Sequence, residues 1–232
     1  TFSPTGKWLA TASVDHTARV WDTATGQEVA RLVHDNEVRS VAFSPDGQQI
    51  ATGSTDKRLK VWSLADGEQS RAEATGHIWT VAYHPKREQF VTTSDDGFSV
   101  MRWDALTGQP VDHLPHNGLM ATALAFSNDG QWLATGSDDN SINIWQLADK
   151  TVISSLSYAD KVEAVAIAPD GQCVASGGVN RVVQVRPLLG GHCKITRIPY
   201  RDTVTAITYS QSGQWLATAS RDGRAVVQQV AT

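Results

Sequence analysis

The sequence predicts an all-β fold built from six repeats, each a set of four short antiparallel strands. The segment Trp8–Ser13 recurs at 132–137 and 215–220, with separations of 124 and 83 residues, close to three and two units of about 41. Tryptophans follow the same period, at Trp21, Trp62, Trp103 and Trp145. No segment has the 3.6-residue apolar period of an amphipathic helix. A fixed period of this length is typical of a repeat architecture.

One repeat, residues 38–73, shows how each unit divides into strands. The segment Ser44-Pro45-Asp46-Gly47 has turn chemistry, because proline fixes φ at the second position and glycine suits the last. Asp56-Lys57 predicts a second, tight turn, and 65–67 a third. The strands between these turns, here named a to d, are expected at 38–43, 49–54, 58–63 and 68–73.

Six such sheets cannot each bury both faces alone, but arranged radially each one packs on its neighbours. The sequence therefore predicts a β-propeller of four-stranded antiparallel blades, with six repeat units in a single domain over 1–232. The chain begins inside strand a of the first unit and stops after strand c of the last. We expect the missing strands to come from sequence outside this stretch, since open edges invite aggregation.

Several motifs within the repeat resemble those of the WD-repeat family, and the resemblance covers essentially the whole chain. They are Trp21-Asp22, Trp103-Asp104, the Phe-Ser-Pro-Asp-Gly turn at 43–47, and the series Asp15, Asp56, Asp139 and Asp222. Members of that family commonly have seven blades, so the resemblance implies a ring of which these six units are a part. The chain opens on Thr1 without an initiator Met, which also indicates a stretch of a longer protein.

The repeats depart from the family pattern at several positions. His34 occupies the position of the family's histidine before strand a, but Val33 replaces the glycine of its Gly-His pair. Gly76-His77 stands three residues closer to its strand. The other departures are Tyr158 and Tyr200 at the histidine position, Arg186 and Gln228 at the tryptophan position, and Asn180 at the turn aspartate.

A set of serine, histidine and aspartate can be assembled from Ser54 or Thr52, His34 and Asp56, which are residue types of an acyl-transfer triad. The resemblance implies a structural role instead, as a hydrogen-bonded tetrad of His34, Asp56, Thr52 or Ser54, and Trp62 that rigidifies one blade. Incomplete copies of this residue set occur on other blades, and no Gly-x-Ser-x-Gly nucleophile elbow accompanies it. We therefore predict that the protein is not an enzyme.

No cofactor or metal site is predicted. His113 and His116 form an HxxH motif that lacks a third ligand and a helix, so a loop between strands d and a is expected there. His192-Cys193 is a similar case. The two cysteines, Cys173 and Cys193, form no CxxC pair, and we interpret them as small core or surface thiols in a reducing compartment; a single disulfide between them is the alternative. No phosphate-binding loop or dinucleotide fingerprint is present.

Strand direction alternates within a blade, so the d–a loops and b–c turns emerge on one face, the top. In this family partners often dock there, which makes the top-face residues candidate partner-binding positions: Glu37, Arg39, His77, Trp79, Met120, Tyr158 and Lys161. Trp79 occupies a position that is Arg39, Thr122, Glu163 or Thr205 in the sister units, so the repeat does not require an aromatic residue. It either anchors a partner or covers a shortened loop.

Charge is distributed unevenly along the chain. The net charge is −4, but residues 181–232 carry seven Lys/Arg and two acids, a net +5, against −9 for the other 180 residues. Arg181, Arg201 and Arg221 are expected together on the top of the last two units. Arginine recognises carboxylates and phosphates through bidentate bonds, so this sector is predicted to read an acidic or phosphorylated segment. A solvated charged rim is the alternative.

The resulting prediction is a protein-interaction scaffold or sensor module in a larger signalling protein, located in the cytoplasm and binding protein or peptide partners. An enzyme with a site at the channel mouth would need a cluster of convergent acids, tyrosines or metal ligands, and none is evident. A nucleic-acid binder using the basic sector is the third interpretation, disfavoured by the acidic pI of about 5.9. No apolar run reaches the 18 or so residues of a membrane helix.

Overall fold

The structure, a computed structural model, describes residues 1–65, 69–74, 76–95, 99–115 and 119–230. His116 and the predicted turn at 66–67 lie outside these residues. The described residues form strands, turns and loops, and none of them belongs to a helix. A helix able to cross a membrane is therefore absent from this part of the chain. The chain separates into two compact units, Thr1–Met120 and Ala121–Thr232.

The first unit contains three antiparallel sheets, which correspond to the first three repeats. The first sheet has the order β1-β2-β3 and consists of Trp8–Ala12, Thr17–Asp22 and Glu28–Val33. The second has the order β4-β5-β6-β7 and consists of Val38–Phe43, Gln49–Ser54, Arg58–Ser63 and Gln69–Glu73. The third has the order β8-β9-β10-β11 and consists of Ile78–Tyr83, Gln89–Ser94, Ser99–Asp104 and Pro110–Pro115. Ahead of β1, Phe2 forms an isolated antiparallel bridge with Leu9, so a remnant of strand a pairs with the first sheet.

The second unit contains the other three sheets. The fourth sheet has the order β12-β13-β14-β15 and consists of Ala121–Phe126, Trp132–Ser137, Ser141–Gln146 and Thr151–Ser157. The fifth has the order β16-β17-β18-β19 and consists of Val162–Ile167, Cys173–Gly178, Val182–Pro187 and Thr196–Pro199. The sixth has the order β20-β21-β22 and consists of Val204–Tyr209, Trp215–Ser220 and Ala225–Gln229. We number the sheets blade 1 to blade 6 in chain order.

The all-β propeller blades predicted from the sequence are confirmed, and in blade 2 the predicted bounds of strands a, b and c match β4, β5 and β6. Strand d begins at Gln69 among the described residues, and the predicted first residue, Glu68, lies outside them. That residues 1–232 form a single domain stays a prediction, because the two units are described separately.

Within each unit, strand b of one blade packs tightly against strand a of the next. A Cβ atom on Gly53 would lie 2.5 Å from Ile78 Cγ2, and one on Gly136 would lie 2.8 Å from Val162 Cγ1. Gly177 has the same relation to Val204, at 2.8 Å. These glycines are required because a side chain there would occupy the space of the neighbouring branched residue.

The b–c turns share one geometry. The second turn residue has a left-handed backbone in five blades: His16, Lys57, Asn140 and Arg181 with φ of 62–70°, and Gly223 with φ of 82°. The side chain of the preceding Asp or Asn accepts a hydrogen bond from the backbone N–H two residues later; Arg58 N, for example, donates to Asp56 Oδ1 at 2.8 Å. Asn180 accepts the same bond from Val182 N at 3.1 Å, so its replacement of aspartate preserves the turn.

We predict that Gly136→Ala destabilises the protein by about 1–3 kcal/mol, the usual cost of overpacking a core. Without this contact, alanine in a strand would be slightly more favourable than glycine. A decrease in the free energy of unfolding would therefore indicate the contact with Val162. Urea denaturation measures the change in the free energy of unfolding.

Val162→Ala and the double variant complete the cycle for this contact. Removing the valine methyl groups relieves the overlap, so the two substitutions together are expected to cost about 1 kcal/mol less than their sum. Strict additivity would contradict the proposed packing.

Candidate functional site

The d–a loops and b–c turns lie at the same end of each blade. The residue that follows strand d donates its backbone N–H to the carbonyl of the left-handed turn residue: His34 to His16, Ala74 to Lys57, Tyr158 to Asn140 and Tyr200 to Arg181, over 2.7–2.9 Å. We call this end of each blade its top end, and the end that carries the a–b and c–d connections its bottom end. The loops and turns on which the binding residues are predicted lie at top ends, and that these residues bind a partner stays a prediction.

Blade 2 contains a buried hydrogen-bonded chain that joins strand b, strand c, the b–c turn and the preceding d–a loop. The Thr52 hydroxyl accepts a bond from Trp62 Nε1 at 2.9 Å and meets His34 Nε2 at 2.7 Å. His34 Nδ1 lies 2.8 Å from Asp56 Oδ2. Ser54, the alternative to Thr52, instead donates to the carbonyl of Asn36 at 3.2 Å. The tetrad is thus His34, Asp56, Thr52 and Trp62.

The electrostatics of this chain favour a neutral histidine beside an ionised aspartate. Burial lowers the pKa of His34, although the neighbouring Asp56 raises it in part. Burial also raises the pKa of Asp56, but hydrogen bonds from Asp35 N–H, His34 and Arg58 N–H more than offset this and hold it below its usual value. A neutral His34 then donates through Nδ1 to Asp56 and accepts through Nε2 from Thr52, a tautomer assigned from the network.

Thr52, His34 and Asp56 are hydrogen-bonded in the sequence hydroxyl, imidazole, carboxylate that an acyl-transfer triad uses, but these side chains are not accessible to a substrate. Thr52 is fully buried and His34 is 3% exposed, so no substrate atom could reach the hydroxyl. Its oxygen already accepts the indole N–H of Trp62. The arrangement ties strands b and c to the preceding d–a loop, which is a structural role.

Other blades retain parts of this network. The indole Nε1 of strand c donates to a strand-b threonine in blades 1, 3 and 4, over 2.8–3.0 Å, in the pairs Trp21–Thr11, Trp103–Thr92 and Trp145–Thr135. In blades 5 and 6 a tyrosine hydroxyl takes the place of the histidine: Tyr158 bonds Ser176 and Tyr200 bonds Thr218.

Tyr158, one of the predicted partner-binding residues, makes a contact within its own blade, and its role in binding stays a prediction. Its hydroxyl is bonded to Ser176, and its pKa is raised because the ring is largely buried. The guanidinium of Arg186, the residue that replaces the strand-c tryptophan, lies 5.2 Å from the ring centroid. Sequence comparison had already put Tyr158 at the histidine position, and this correspondence identifies its structural role.

The candidate residues of the first unit form a network of their own. Glu37 and Arg39 form an ion pair, and the Arg39 guanidinium lies 5.2 Å from the centroid of the Trp79 ring. The Trp79 indole nitrogen is shielded from solvent and has no hydrogen-bond partner within the described residues. His77, in the loop before strand β8, instead contacts the residue that follows strand β9, with its Nδ1 2.8 Å from Asp95 Oδ2. Trp79 is half-buried, so it offers a partner less surface than an exposed anchor would.

Trp79 and its sister residues share a feature that sequence reasoning missed. The a–b pairing of every blade from the second to the sixth shifts register at one position, occupied by Arg39, Trp79, Thr122, Glu163 and Thr205. A β-bulge re-aims the side chain of its extra residue. The variability of this position across the repeats was its only signal in the sequence.

The candidate residues of the second unit lie on three successive top loops. The Arg181 carbonyl accepts the backbone N–H of Tyr200, which adjoins Arg201. Arg201 N donates to Asp222 Oδ2 at 2.9 Å, and Asp222 adjoins Arg221. All three arginines are exposed. Arg221 makes a long contact of 3.5 Å with Glu163, and within the described residues the Arg181 and Arg201 guanidinium groups form no ion pair.

The remaining candidates do not converge on a site. Met120, the last residue of the first unit, is half-buried, and Lys161 donates to Asp138 at 2.7 Å. His113 and His192 are exposed. In the part of the chain that the structure describes, no three His, Cys, Asp or Glu residues are grouped so as to hold a metal ion.

Comparison with known proteins points to one family. The sequence model of the IFT122 first beta-propeller matches residues 1–229. Striatin-4 of Homo sapiens is 26% identical over 202 residues, which cover 79% of this chain and 27% of the relative. Coronin-like protein of Saccharomyces cerevisiae is 32% identical over 83 residues, covering 34% of this chain and 13% of the relative.

A third relative, Pre-mRNA-splicing factor cwf17 of Schizosaccharomyces pombe, is 27% identical over 117 residues, which cover 50% of this chain and 34% of the relative. The matched regions thus span about a third or less of each of these three relatives.

We predict that Thr52→Val lowers the free energy of unfolding by about 2–4 kcal/mol, because it leaves two buried groups, on Trp62 and His34, without their partner. Chemical denaturation measures this change. Thr11→Val is the matched control, since Thr11 is exposed and its hydroxyl accepts the indole N–H of Trp21 without a histidine partner. Its expected cost is under about 1 kcal/mol. Equal costs for the two variants would contradict the role of the chain in blade 2.

The lowered pKa of His34 also predicts a pH dependence of stability. The folded state keeps His34 neutral, whereas the unfolded chain takes up a proton as the pH falls through about 6.5. The contribution of His34 to the free energy of unfolding is therefore fully present above that pH. It is lost as the pH decreases toward the pKa of His34 in the folded state.

Denaturation curves from pH 7.5 to 5 measure this loss. His34→Tyr, which copies the tyrosine of blades 5 and 6, removes the titrating group and is expected to flatten the pH dependence. An unchanged slope in that variant would show that other groups cause it.

Proposed function

Because the chain belongs to the WD-repeat family represented by the first β-propeller of IFT122, we propose that it is a protein-recognition module of a larger signalling protein. It binds a partner rather than catalysing a reaction, and it does so in the cytoplasm. The observation that carries the proposal is the set of three exposed arginines at the top ends of blades 5 and 6, two of them without an ion pair among the described residues.

The loops that carry these arginines are held in place by the backbone. The Arg181 carbonyl is bonded to Tyr200 N, Arg201 N to Asp222, and Arg221 N to the Thr203 carbonyl. A rigid set of loops reduces the entropy lost when a ligand binds. Only the arginine side chains themselves then have to be ordered by the partner.

The chemistry of the partner follows from the charge of this surface. The segment 181–232 carries a net +5 in a chain of net −4. The acidic side chains in these loops are engaged locally: Asp222 by Arg201 N, and Asp202 by Thr203 N at 2.7 Å. Exposed guanidinium groups bind carboxylates and phosphates through paired N–H donors. We therefore propose an acidic or phosphorylated peptide segment as the ligand.

Trp79 is not part of the proposed surface. Arg39 covers one face of its ring and the indole nitrogen is shielded, which supports the interpretation that it covers neighbouring structure. The proposed binding surface consists of Arg181, Arg201 and Arg221.

The proposal predicts that Arg201→Glu/Arg221→Glu weakens binding of a fluorescent peptide with two phosphoserines flanked by glutamates by at least about tenfold. Each lost charge-assisted hydrogen bond is worth about 1.5–3 kcal/mol before solvent screening. Fluorescence anisotropy at 0.15 M salt measures the dissociation constant. Lys194→Glu/Arg197→Glu is the matched control, because both residues are exposed, belong to the same basic segment, and undergo the same change of charge.

Equal loss of binding in both double variants would show that only net charge matters, and retention of binding by Arg201→Glu/Arg221→Glu would discard the surface. A single-stranded DNA of the same length serves as a competitor. If it displaces the peptide with a steep salt dependence, the nucleic-acid interpretation replaces the peptide one.

A further inference from the structure

The c–d loop of blade 5 is longer than its counterpart in blade 4 and folds back on its own sheet. It has eight residues, 188–195, against four in blade 4, 147–150. Leu188 N donates to the Gln172 carbonyl at 2.8 Å, and His192 N to Gln172 Oε1 at 3.2 Å. A Cβ atom on Gly191 would lie 2.2 Å from the Gln172 carbonyl oxygen, so the loop backbone packs directly on that residue.

This path brings the two cysteines together. Cys173 follows Gln172 as the first residue of β17, and Cys193 follows His192 in the loop. Both side chains belong to one apolar cluster, in which Cys173 is 5% exposed and Cys193 is half-buried at the margin. Cys193 thus packs against the cluster that contains Cys173. The sequence spacing of 20 residues gave no indication of this pair.

We propose that Cys173 and Cys193 are a modification site, at which a hydroperoxide converts the two thiols into a disulfide that fixes the loop to strand β17. The contacts of the loop with Gln172 hold Cys193 near Cys173 before oxidation.

The reaction begins at Cys193, the more accessible thiol. Its sulfur attacks the hydroperoxide, the O–O bond breaks, and Cys193 becomes a sulfenic acid while water or an alcohol leaves. The Cys173 sulfur then attacks the Cys193 sulfur, the S–O bond breaks, and a second molecule of water leaves with the Cys173 proton. Two electrons pass from the two thiols to the peroxide.

Each cysteine has a distinct part in this sequence. Burial and contact with Cys193 raise the pKa of the Cys173 thiol, so Cys173 is protected from direct oxidation. Cys193, which packs against the same cluster, is the group placed to react with it. Cys193 therefore acts as the sensing thiol and Cys173 as the resolving one.

The site lies at the bottom end of blade 5, whereas the arginine surface lies at top ends. The loop exposes two apolar side chains, Leu189 at 45% and Ile195 at 66%. Oxidation would restrain them without altering the arginines. This inference is thus independent of the proposed binding of acidic peptides.

The test treats the full chain with hydrogen peroxide under native conditions, blocks remaining thiols, and digests without reduction. Trypsin is expected to release the peptides 162–181 and 182–194 joined by a disulfide, since the bond between Arg186 and Pro187 resists the enzyme. In native protein, cleavage after the exposed Lys194 is expected to slow at least about tenfold on oxidation, because the cross-link reduces opening of the loop. A thiol reductant restores the original rate.

Cys193→Ser is the control, and its cleavage rate is expected not to change with peroxide. Cys173→Ser provides the second variant, which should give sulfenic or sulfinic acid at Cys193 and no cross-link. Wild-type protein in which Cys193 is over-oxidised while Cys173 stays a thiol would overturn the proposal. A disulfide that joins Cys193 of two chains, seen as a dimer on a non-reducing gel, would also overturn it.

Discussion

A buried hydroxyl on strand b joins the segments of blades 2 to 6. In blade 2, Thr52 connects the indole of strand c to the histidine of the preceding d–a loop, and His34 connects it to the turn aspartate. A hydroxyl can both accept and donate, so one small side chain satisfies two buried partners. Where the histidine is absent, in blades 5 and 6, a tyrosine hydroxyl reaches the same position on strand b.

This network determines what the top ends can do. The turn aspartate is held by the backbone of the d–a loop, as Asp56 is by Asp35 N and Asp222 by Arg201 N. Loops positioned by a rigid scaffold are where proteins usually place binding residues. The arginines of blades 5 and 6 lie directly on these tethered loops, whereas the catalytic-looking residues of blade 2 are buried within that blade. The same geometry thus supports recognition and closes off acyl-transfer chemistry.

Much of this structure was predictable from the sequence, because its main determinants are local and repeated. The strand bounds of blade 2 follow from turn residues and the 41-residue period. The choice between Thr52 and Ser54 was left open, although both lie on one strand face. It follows from the register, since Trp62 pairs with Ile50 and its indole reaches the diagonal neighbour two residues away. Contacts that depend on the path of an irregular loop could not be predicted, and the approach of Cys193 to Cys173 is the clearest case.

Hydrogen–deuterium exchange of the chain with and without the doubly phosphorylated peptide locates the bound surface without altering any residue. If the arginines bind the peptide, exchange slows at the three top loops around Arg181, Arg201 and Arg221, and the c–d loop of blade 5 is unchanged. Protection confined to the first unit, or to bottom-end connections, would contradict the proposed surface.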